Sequence, residues 1–407
     1  MTLPPYVTSL ISKIEDAGFE VYPVGGCVRD TLMGKAPCDW DLATSAQPEE
    51  IQSVFNNQTV IPTGIHHGTV TVLSCGIPVE ITTFRIDGNY LDNRHPENVS
   101  FSKNIYDDLS RRDFTINAMA YNPKTGLIDP FDGQSDLKRS IIRAVGDPKV
   151  RFTEDALRIM RAIRFAAYLD FEIAPDTHSA IFNCRELLKN ISAERITAEL
   201  TKTLTSKTPG AVLSTYFAAT IQRFFSQSPD NLGSISFSSL DRVSNVLPLR
   251  LALYLILSAN ILKIDVFTLM QTFFSNLKFD NKTKSSIRLI LKNFDTNISA
   301  DKISMRKKIF EVGADTLNNI LCIKEALQND RHLQSLKQLL AEIIASGDCL
   351  SIKDLEVSGD DLIREFNLQG KEIGTALKTL LTAVIEDKCP NQKAELLEFY
   401  KSIQKKS

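Results

Sequence analysis

No two of the seven cysteines (Cys27, Cys38, Cys75, Cys184, Cys322, Cys349, Cys389) are spaced as Cys-x-x-Cys, and their number is odd. That spacing argues against both a disulfide framework and a zinc site. The five histidines include the adjacent His66 and His67 but form no HExxH pattern, so zinc chemistry has no visible basis. An excess of one charge is missing too. With 47 Lys and Arg against 49 Asp and Glu, the formal charge is -2, and any surface for a polyanion must be local. The longest apolar run, Leu251 to Leu262, contains Ser258 and Asn260 and falls well short of the roughly 20 residues that span a bilayer. Met1 to Phe19 carries Lys13, Glu15 and Asp16, where a secretory leader would be apolar. The expectation is a cytoplasmic protein with no membrane partner. What the 407 residues do contain is 43% hydrophobic and 24% charged side chains, enough for more than one core and incompatible with disordered or fibrous classes.

The first 135 or so residues read as mixed α/β. Val21 to Val24 is a short buried strand ending at Gly25-Gly26, and Gly68 to Ser74 and Pro78 to Phe84 are β-branched runs joined by Cys75-Gly76, a hairpin signal. Ala118 to Tyr121 and Leu127 to Asp129 form another pair around Asn122, Pro123 and Gly126. After Pro130 the β signal disappears. Thr153 to Leu169 has helical spacing, with Thr153 expected as N-cap and Glu154 and Asp155 in the first turn. Further helices are expected over 178–190, 192–205, 248–262, 283–294, 301–312, 315–346, 359–386 and 391–404.

Three constellations carry chemistry. Gly25, Gly26, Cys27, Val28, Arg29, Asp30 follow a strand, with a helix expected from Val28; paired glycines and a first-turn guanidinium suit an anion such as a triphosphate. In Asp39-Trp40-Asp41, an extended backbone puts both carboxylates on one face, where hard oxygen ligands can share a cation. Glu80 lies in an apolar β run, where the pattern predicts partial burial, costly unless paired or metal-bound. Together the three acids fit a two-metal phosphoryl or nucleotidyl transfer site.

In order along the chain, Gly-Gly-x-x-Arg-Asp, Asp-x-Asp and the strand glutamate are followed by Arg111-Arg112-Asp113-Phe114-Thr115-Ile116-Asn117-Ala118. Then come Asp129-Pro130-Phe131-Asp132-Gly133 and Glu154-Asp155-x-x-Arg158-x-x-Arg161. This series resembles the class II tRNA nucleotidyltransferases, the CCA-adding enzymes, whose close kin are bacterial poly(A) polymerases. The motifs cover about residues 20 to 200; farther on, Gly359-Asp360-Asp361-Leu362 with Gly370 and Gly374 is similar to the family's tail segment.

The resemblance implies an α+β fold: a polymerase-beta-like nucleotidyltransferase head with a mixed sheet, then an elongated all-α neck, body and tail. The expected divisions are head 1–137, neck 138–205, body 206–330 and tail 331–407, the tail binding tRNA. It further implies that Gly26 and Arg29 contact the incoming nucleotide, that Asp39 and Asp41 hold Mg2+, and that Glu80 is the third catalytic carboxylate. Arg112 would touch ribose or phosphate. Asp155, Arg158, Arg161 and Arg164 would complete the nucleotide site, with the 3′ end of tRNA, CTP and ATP as partners.

The base choice has a physical reading of its own. Asp155 and Arg158, three apart on the expected helix, share a face. A carboxylate accepts from an exocyclic amine while a guanidinium donates to the neighbouring ring atom. Cytosine and adenine both offer amine beside acceptor; uracil and guanine do not. Residues 136 to 164 also hold eight Lys and Arg against four Asp and Glu, the local basic patch that the global charge conceals, suited to triphosphate and RNA. No base-reading motif marks the remaining helices, so recognition of a folded RNA by shape is expected there.

Asp87 to Ser100, polar and turn-rich, resembles the flexible loop that serves the change from C to A. A Gly-Arg-Arg-Phe stretch typical of the poly(A) polymerases is absent from Thr63 to Val70. The alternatives are an A-adding enzyme working beside a CC-adding partner, a bacterial poly(A) polymerase, or an inactive RNA-binding protein of the same fold. Oligomeric state is not legible.

Overall fold

The computed structural model describes residues 1–62, 64–88, 99–221, 224, 235–328 and 330–405. Helix α1 (Pro5–Asp16) starts on a proline whose fixed φ suits the first helical position, and it buries Val7, Leu10, Ile11 and Ile14 on one face. β1 (Val21–Pro23), α2 (Gly26–Leu32), β2 (Asp41–Thr44), α3 (Pro48–Val54), β3 (Val60–Ile61), β4 (Thr69–Ser74) and β5 (Ile77–Thr83) follow. The five strands form one mixed sheet in the order β1-β2-β5-β4-β3. β2 and β5 run parallel with Asp41 beside Glu80, and the other neighbours are antiparallel. Cys75 and Gly76, at φ 52° and 79°, are the two left-handed residues of the β4-β5 turn, the conformation a tight hairpin requires.

One face of the sheet packs Val70, Val72, Val79 and Ile81 against Leu10, Ile51 and Phe55. The other packs Tyr22, Ala43 and Phe84 against Ile105 and Leu109. β6 (Arg85–Asp87) pairs with β7 (Val99–Phe101); residues 89–98, the centre of the segment expected to act as a loop, lie outside the described residues. Next come α4 (Ile105–Ser110), the hairpin β8 (Ala120–Asn122) and β9 (Gly126–Ile128), and α5 (Gly133–Arg139).

Beyond Pro130 the β signal does not vanish. β10 (Ile141–Ile142) pairs in parallel with β11 (Glu172–Ile173), a ladder too short for sequence alternation to reveal. Between them, the single helix expected from Thr153 is two: α6 (Pro148–Glu154) and α7 (Leu157–Leu169). Asp147 and Pro148 start α6, the Asp147 side chain accepting from Lys149 N at 2.8 Å, so Thr153 lies in the last turn and bonds back to Lys149 O. Asp155 is extended, at φ -134° and ψ 101°. α8 (Pro175–Cys184), α9 (Ala193–Leu204) and α10 (Pro209–Ile221) complete this part.

The chain divides into two compact units, Met1–Ser238 with Ser275–Lys278, and Ser239–Phe274 with Phe279–Ser407. The second contains α11 (Leu247–Leu262), α12 (Val266–Asn276) apart from its last two residues, α13 (Asn281–Asn293), α14 (Lys302–Val312), α15 (Ala314–Gln328), α16 (Arg331–Ala345), α17 (Gly359–Phe366), α18 (Lys371–Ile385) and α19 (Lys393–Gln404). The helix expected over 315–346 is therefore two, α16 being capped by Asp330. That expected over 359–386 is broken where Asn367 and Gly370 take positive φ. Leu317, Leu321, Leu336 and Leu340 form one core of this unit and Leu362, Leu380 and Leu396 another. No single described helix is long and apolar enough to cross a membrane.

Candidate active site

A cleft of about 420 Å³ in the first unit gathers residues from α2, the approach to β2, the turn after α4, α7 and α9. Its lining includes Gly26, Arg29, Asp39, Asp41, Arg112, Asp155, Arg158, Arg161 and Arg164, all anticipated as site residues, but not Glu80.

The carboxylate rim is built by strand alternation. Trp40 points into the core at 5% exposure while Asp39 and Asp41 stay open on either side of it, the i, i+2 geometry expected of an extended segment. Glu80, expected to be partly buried, is exposed. Val79 and Ile81 take the inward positions of β5, and Glu80 stands outward, beside Asp41 in the parallel register. Among the described residues, Asp39, Asp41 and Glu80 make no hydrogen bond or ion pair through their carboxylates, and no three His, Cys, Asp or Glu side chains converge as a metal cage. The protein crowded around Asp41 and the charges of Asp39 and Glu80 push its carboxyl up to about 6, with Arg112 opposing.

This donor set fits a divalent cation. Hard, unpaired oxygens set close to one another are what such an ion relieves, and small divalent cations use one or two carboxylates plus substrate phosphates rather than a full protein cage. Asp39 and Asp41 are the residues that could hold it.

The opposite wall is cationic but internally paired. Arg29, 6% exposed, ion-pairs with Asp30 at 2.8 Å and donates to Asn117 Oδ1 at 2.7 Å. Asn117 Nδ2 donates to Asp113 Oδ1 at 3.1 Å, and Arg161 meets Asp113 Oδ2 at 2.6 Å. Burial alone would raise the Asp113 carboxyl, but Arg161 and Asn117 hold it down at about 2. Arg111 and Arg112 share the buried Asp108, whose carboxyl the two arginines keep below the usual range despite burial. Gly25 sits at φ 76°, and a Cβ there would come within 3.0 Å of Arg112 Nη1, so its lack of a side chain lets the guanidinium close on the turn. α2 begins at Gly26, two residues before its expected start.

Asp155 and Arg158 both face the cleft, yet they do not pair with each other. The shared-face argument assumed one continuous helix, and the helix breaks at Asp155. Its Oδ1 accepts from Leu157 N, the first residue of α7, at 3.1 Å and from Arg195 Nη1 at 3.2 Å, while Oδ2 accepts from Arg195 Nη2 at 2.7 Å. A carboxylate has four lone-pair sites, so these bonds leave one acceptor position on Oδ2 unused. Arg158, 8% exposed, spends Nη1 on Glu154 at 2.8 Å and Arg151 O at 3.3 Å, and one Nη2 hydrogen on Arg111 O at 2.8 Å. Its Nε hydrogen and the second Nη2 hydrogen remain for a ligand. The arrangement thus offers an acceptor and donors held apart by separate partners.

Arg195 was missed by sequence reading, and so was Asp108 as the anchor of two arginines. Forty positions separate Arg195 from Asp155, and a single arginine on a helix carries no spacing signal. Of the basic residues counted between 136 and 164, only Arg158, Arg161 and Arg164 line the cleft; Arg143, for example, is paired with Asp136 at 3.1 Å.

The chain matches a family model described as Poly A polymerase head domain over residues 21–143 and one described as tRNA nucleotidyltransferase domain 2 over residues 257–400. It is 37% identical over 402 residues to the CCA-adding enzyme of Ligilactobacillus salivarius, covering 97% of this chain and 95% of that protein. The CCA-adding enzyme of Levilactobacillus brevis is 36% identical, with 95% of each chain covered. The crystal structure of the Bacillus stearothermophilus CCA-adding enzyme in complex with CTP superposes with a TM-score of 0.81 at 29% identity over 99% of both chains. With an Asp-x-Asp rim, an arginine wall and full-length likeness to these proteins, the chain belongs to the CCA-adding enzymes, the tRNA nucleotidyltransferase family.

Proposed function

We propose that this cleft is where C, C and A are joined in turn to the 3′ end of tRNA from CTP and ATP, with the base chosen by protein side chains. The protein is a tRNA nucleotidyltransferase, and its family uses divalent metal. In each addition the terminal hydroxyl oxygen of the RNA bonds to the α-phosphorus, the α–β phosphoanhydride bond breaks and pyrophosphate leaves. Asp39 and Asp41 hold the cation, assigned as Mg2+, with Glu80 beside them as the third carboxylate. When bound there, the ion supplies activation of the hydroxyl and neutralisation of charge on the phosphates.

The remaining steps fall to this chain's own residues. Arg29, Arg112, Arg161 and Arg164 take the triphosphate, and the backbone at Gly26 allows it to approach closely. The open Oδ2 position of Asp155 accepts the exocyclic amine of cytosine or adenine, and the free hydrogens of Arg158 donate to the adjacent ring acceptor. Uracil and guanine would set a carbonyl against the carboxylate and an N–H against the guanidinium. In this reading residues 1–137 carry out the chemistry, 138–205 select the base, 206–330 form the helical body and 331–407 hold the tRNA, in the cytoplasm.

The observation that carries the proposal is the single cleft that brings unpaired Asp39 and Asp41 together with the separately anchored Asp155 and Arg158. The test supplies purified protein with tRNAs ending at the discriminator base, at C and at CC, and with each of the four nucleotides, in magnesium or in chelator. Stepwise C, C and A addition that stops there and requires magnesium is expected. Addition of A alone, or of a long A tail, would overturn the reading.

A further inference from the structure

Phe165 has the spacing of a core residue on α7 and is 4% exposed, yet its ring stands among charges. The guanidinium carbon of Arg164 lies 3.9 Å from the ring centroid, that of Arg29 5.2 Å and that of Arg161 5.4 Å. Phe114 meets the ring edge-on, with centroids 5.7 Å apart and planes at 81°, and so fixes its orientation. Each arginine has its own carboxylate: Asp30 for Arg29, Asp113 for Arg161 and Glu199 for Arg164. Asp113 and Glu199 each act on both Arg161 and Arg164 as well. The ring lies beside all three guanidiniums.

We propose that Phe165 is a positioning residue for the triphosphate. The negative face of its ring holds Arg29, Arg161 and Arg164 in one cleft wall against their mutual repulsion, so that the phosphates meet donors already in place. An aliphatic side chain of similar size would fill the space but offer no negative face. The crowding is real: burial makes the Arg164 guanidinium more acidic than usual, and the neighbouring Arg161 and Arg29 add to that while Glu199 and Asp113 oppose it. The inference rests on the reading that this cleft takes CTP and ATP. Because both nucleotides carry the same triphosphate, the ring's contribution must be equal for the two and separate from the base choice at Asp155 and Arg158.

The test replaces Phe165 in the full-length protein with mono-, di- and trifluorinated phenylalanine, which progressively cancels the negative face with little change in volume, and measures KM and kcat for CTP and ATP alongside thermal midpoints. KM for both nucleotides is expected to rise together and stepwise, about three- to tenfold across the series, with kcat nearly constant. Arg29→Ala runs in parallel and is expected to raise KM for both. A flat KM across the fluorinated series while Arg29→Ala raises it overturns the role of the ring and leaves the nucleotide cleft standing, even if stability falls. A rise confined to one nucleotide also overturns it. If Arg29→Ala leaves both KM values unchanged, the reading of the cleft itself fails and this inference with it.

Discussion

The two walls of the cleft handle charge in opposite ways. On the rim, Asp39 and Asp41, with Glu80 beside Asp41 but outside the lining, have no cationic partner bonded to them among the described residues, and Asp41 is driven up to about 6. On the wall, each of seven arginines (Arg29, Arg111, Arg112, Arg158, Arg161, Arg164, Arg195) has a carboxylate: Asp30, Asp108 for two of them, Glu154, Asp113, Glu199 and Asp155. An unbalanced rim is a site that waits for charge from outside. A balanced wall is a site whose geometry is set before the ligand arrives, since paired guanidiniums keep fixed directions for their remaining donors. Removing a rim residue should therefore cost chemistry and little stability, whereas removing a wall residue should cost position, base choice or stability.

The largest effect tests the rim. Asp39→Ala and Asp41→Ala should each lower addition of both C and A by about a thousandfold or more, because charge neutralisation worth several kcal/mol is common to every step. Their thermal midpoints should equal or slightly exceed that of the unaltered protein, since a repulsion is relieved. Glu80→Ala should be severe as well, and its exposure removes burial as a reason for misfolding. Full turnover in either aspartate variant, or a large loss of stability, would break the contrast between rim and wall.

The wall's balance is most exposed at Asp113, which links Asn117 and Arg161. Its carboxyl is held at about 2 in the folded protein, below the roughly 3.9 of an unstructured chain. A depressed folded value gives stability that is fully present above the unfolded value and lost as pH falls through the folded one. The contribution is about 2 to 3 kcal/mol at neutral pH, before any cost of leaving Arg161 unpaired. Asp113→Asn should therefore lower urea stability at pH 7, and the gap from the unaltered protein should narrow as pH falls from about 4 toward 2. A gap independent of pH would show that packing, not charge, is what Asp113 supplies.

Base choice comes next in size. Asp155→Ala and Arg158→Ala should each weaken rejection of UTP and GTP by about 1 to 3 kcal/mol, five-fold to more than a hundred-fold, measured with all four nucleotides on one tRNA lacking its terminal bases. The structure changes what each variant leaves behind: Asp155→Ala frees Arg195, whereas Arg158→Ala leaves Glu154 paired with Arg151 alone. Arg195→Met should loosen selectivity by less, because Asp155 keeps its bond to Leu157 N and loses orientation rather than existence. Selectivity unchanged in all three would remove the base-reading assignment.

How much of this was legible follows from the range of each interaction. Asp39 and Asp41 were readable because strand alternation acts over two residues, and the hairpin at Cys75-Gly76 because turn chemistry is local. Glu80 was recognised as a site candidate but misplaced. An apolar run suggests burial, but the same alternation that exposes Asp41 also turns Glu80 outward between Val79 and Ile81. Asp155 and Arg158 were identified through the order of motifs, while their geometry was not, because Asp147-Pro148 starts a separate helix and Asp155 ends it. Arg195, and the cationic surroundings of Phe165, depend on contacts across segments that no spacing rule reaches.

The smallest effect separates position from charge. The sequence placed a basic patch over residues 136 to 164, yet Arg143 does not line the cleft. Its side chain is 40% exposed and meets Asp136, which also accepts from Thr115 Oγ1 at 2.7 Å. Arg143→Ala should leave KM for CTP and ATP unchanged, because a positive charge outside the cleft is screened within about 10 Å in ordinary salt. Stability should fall by about 1 to 2 kcal/mol, since Arg143 is partly exposed while the buried Asp136 keeps only the Thr115 hydroxyl as a side-chain donor. If Arg143→Ala instead raises KM as much as Arg29→Ala does, the wall works as a diffuse field, and the anchoring of its individual arginines is not what prepares the site.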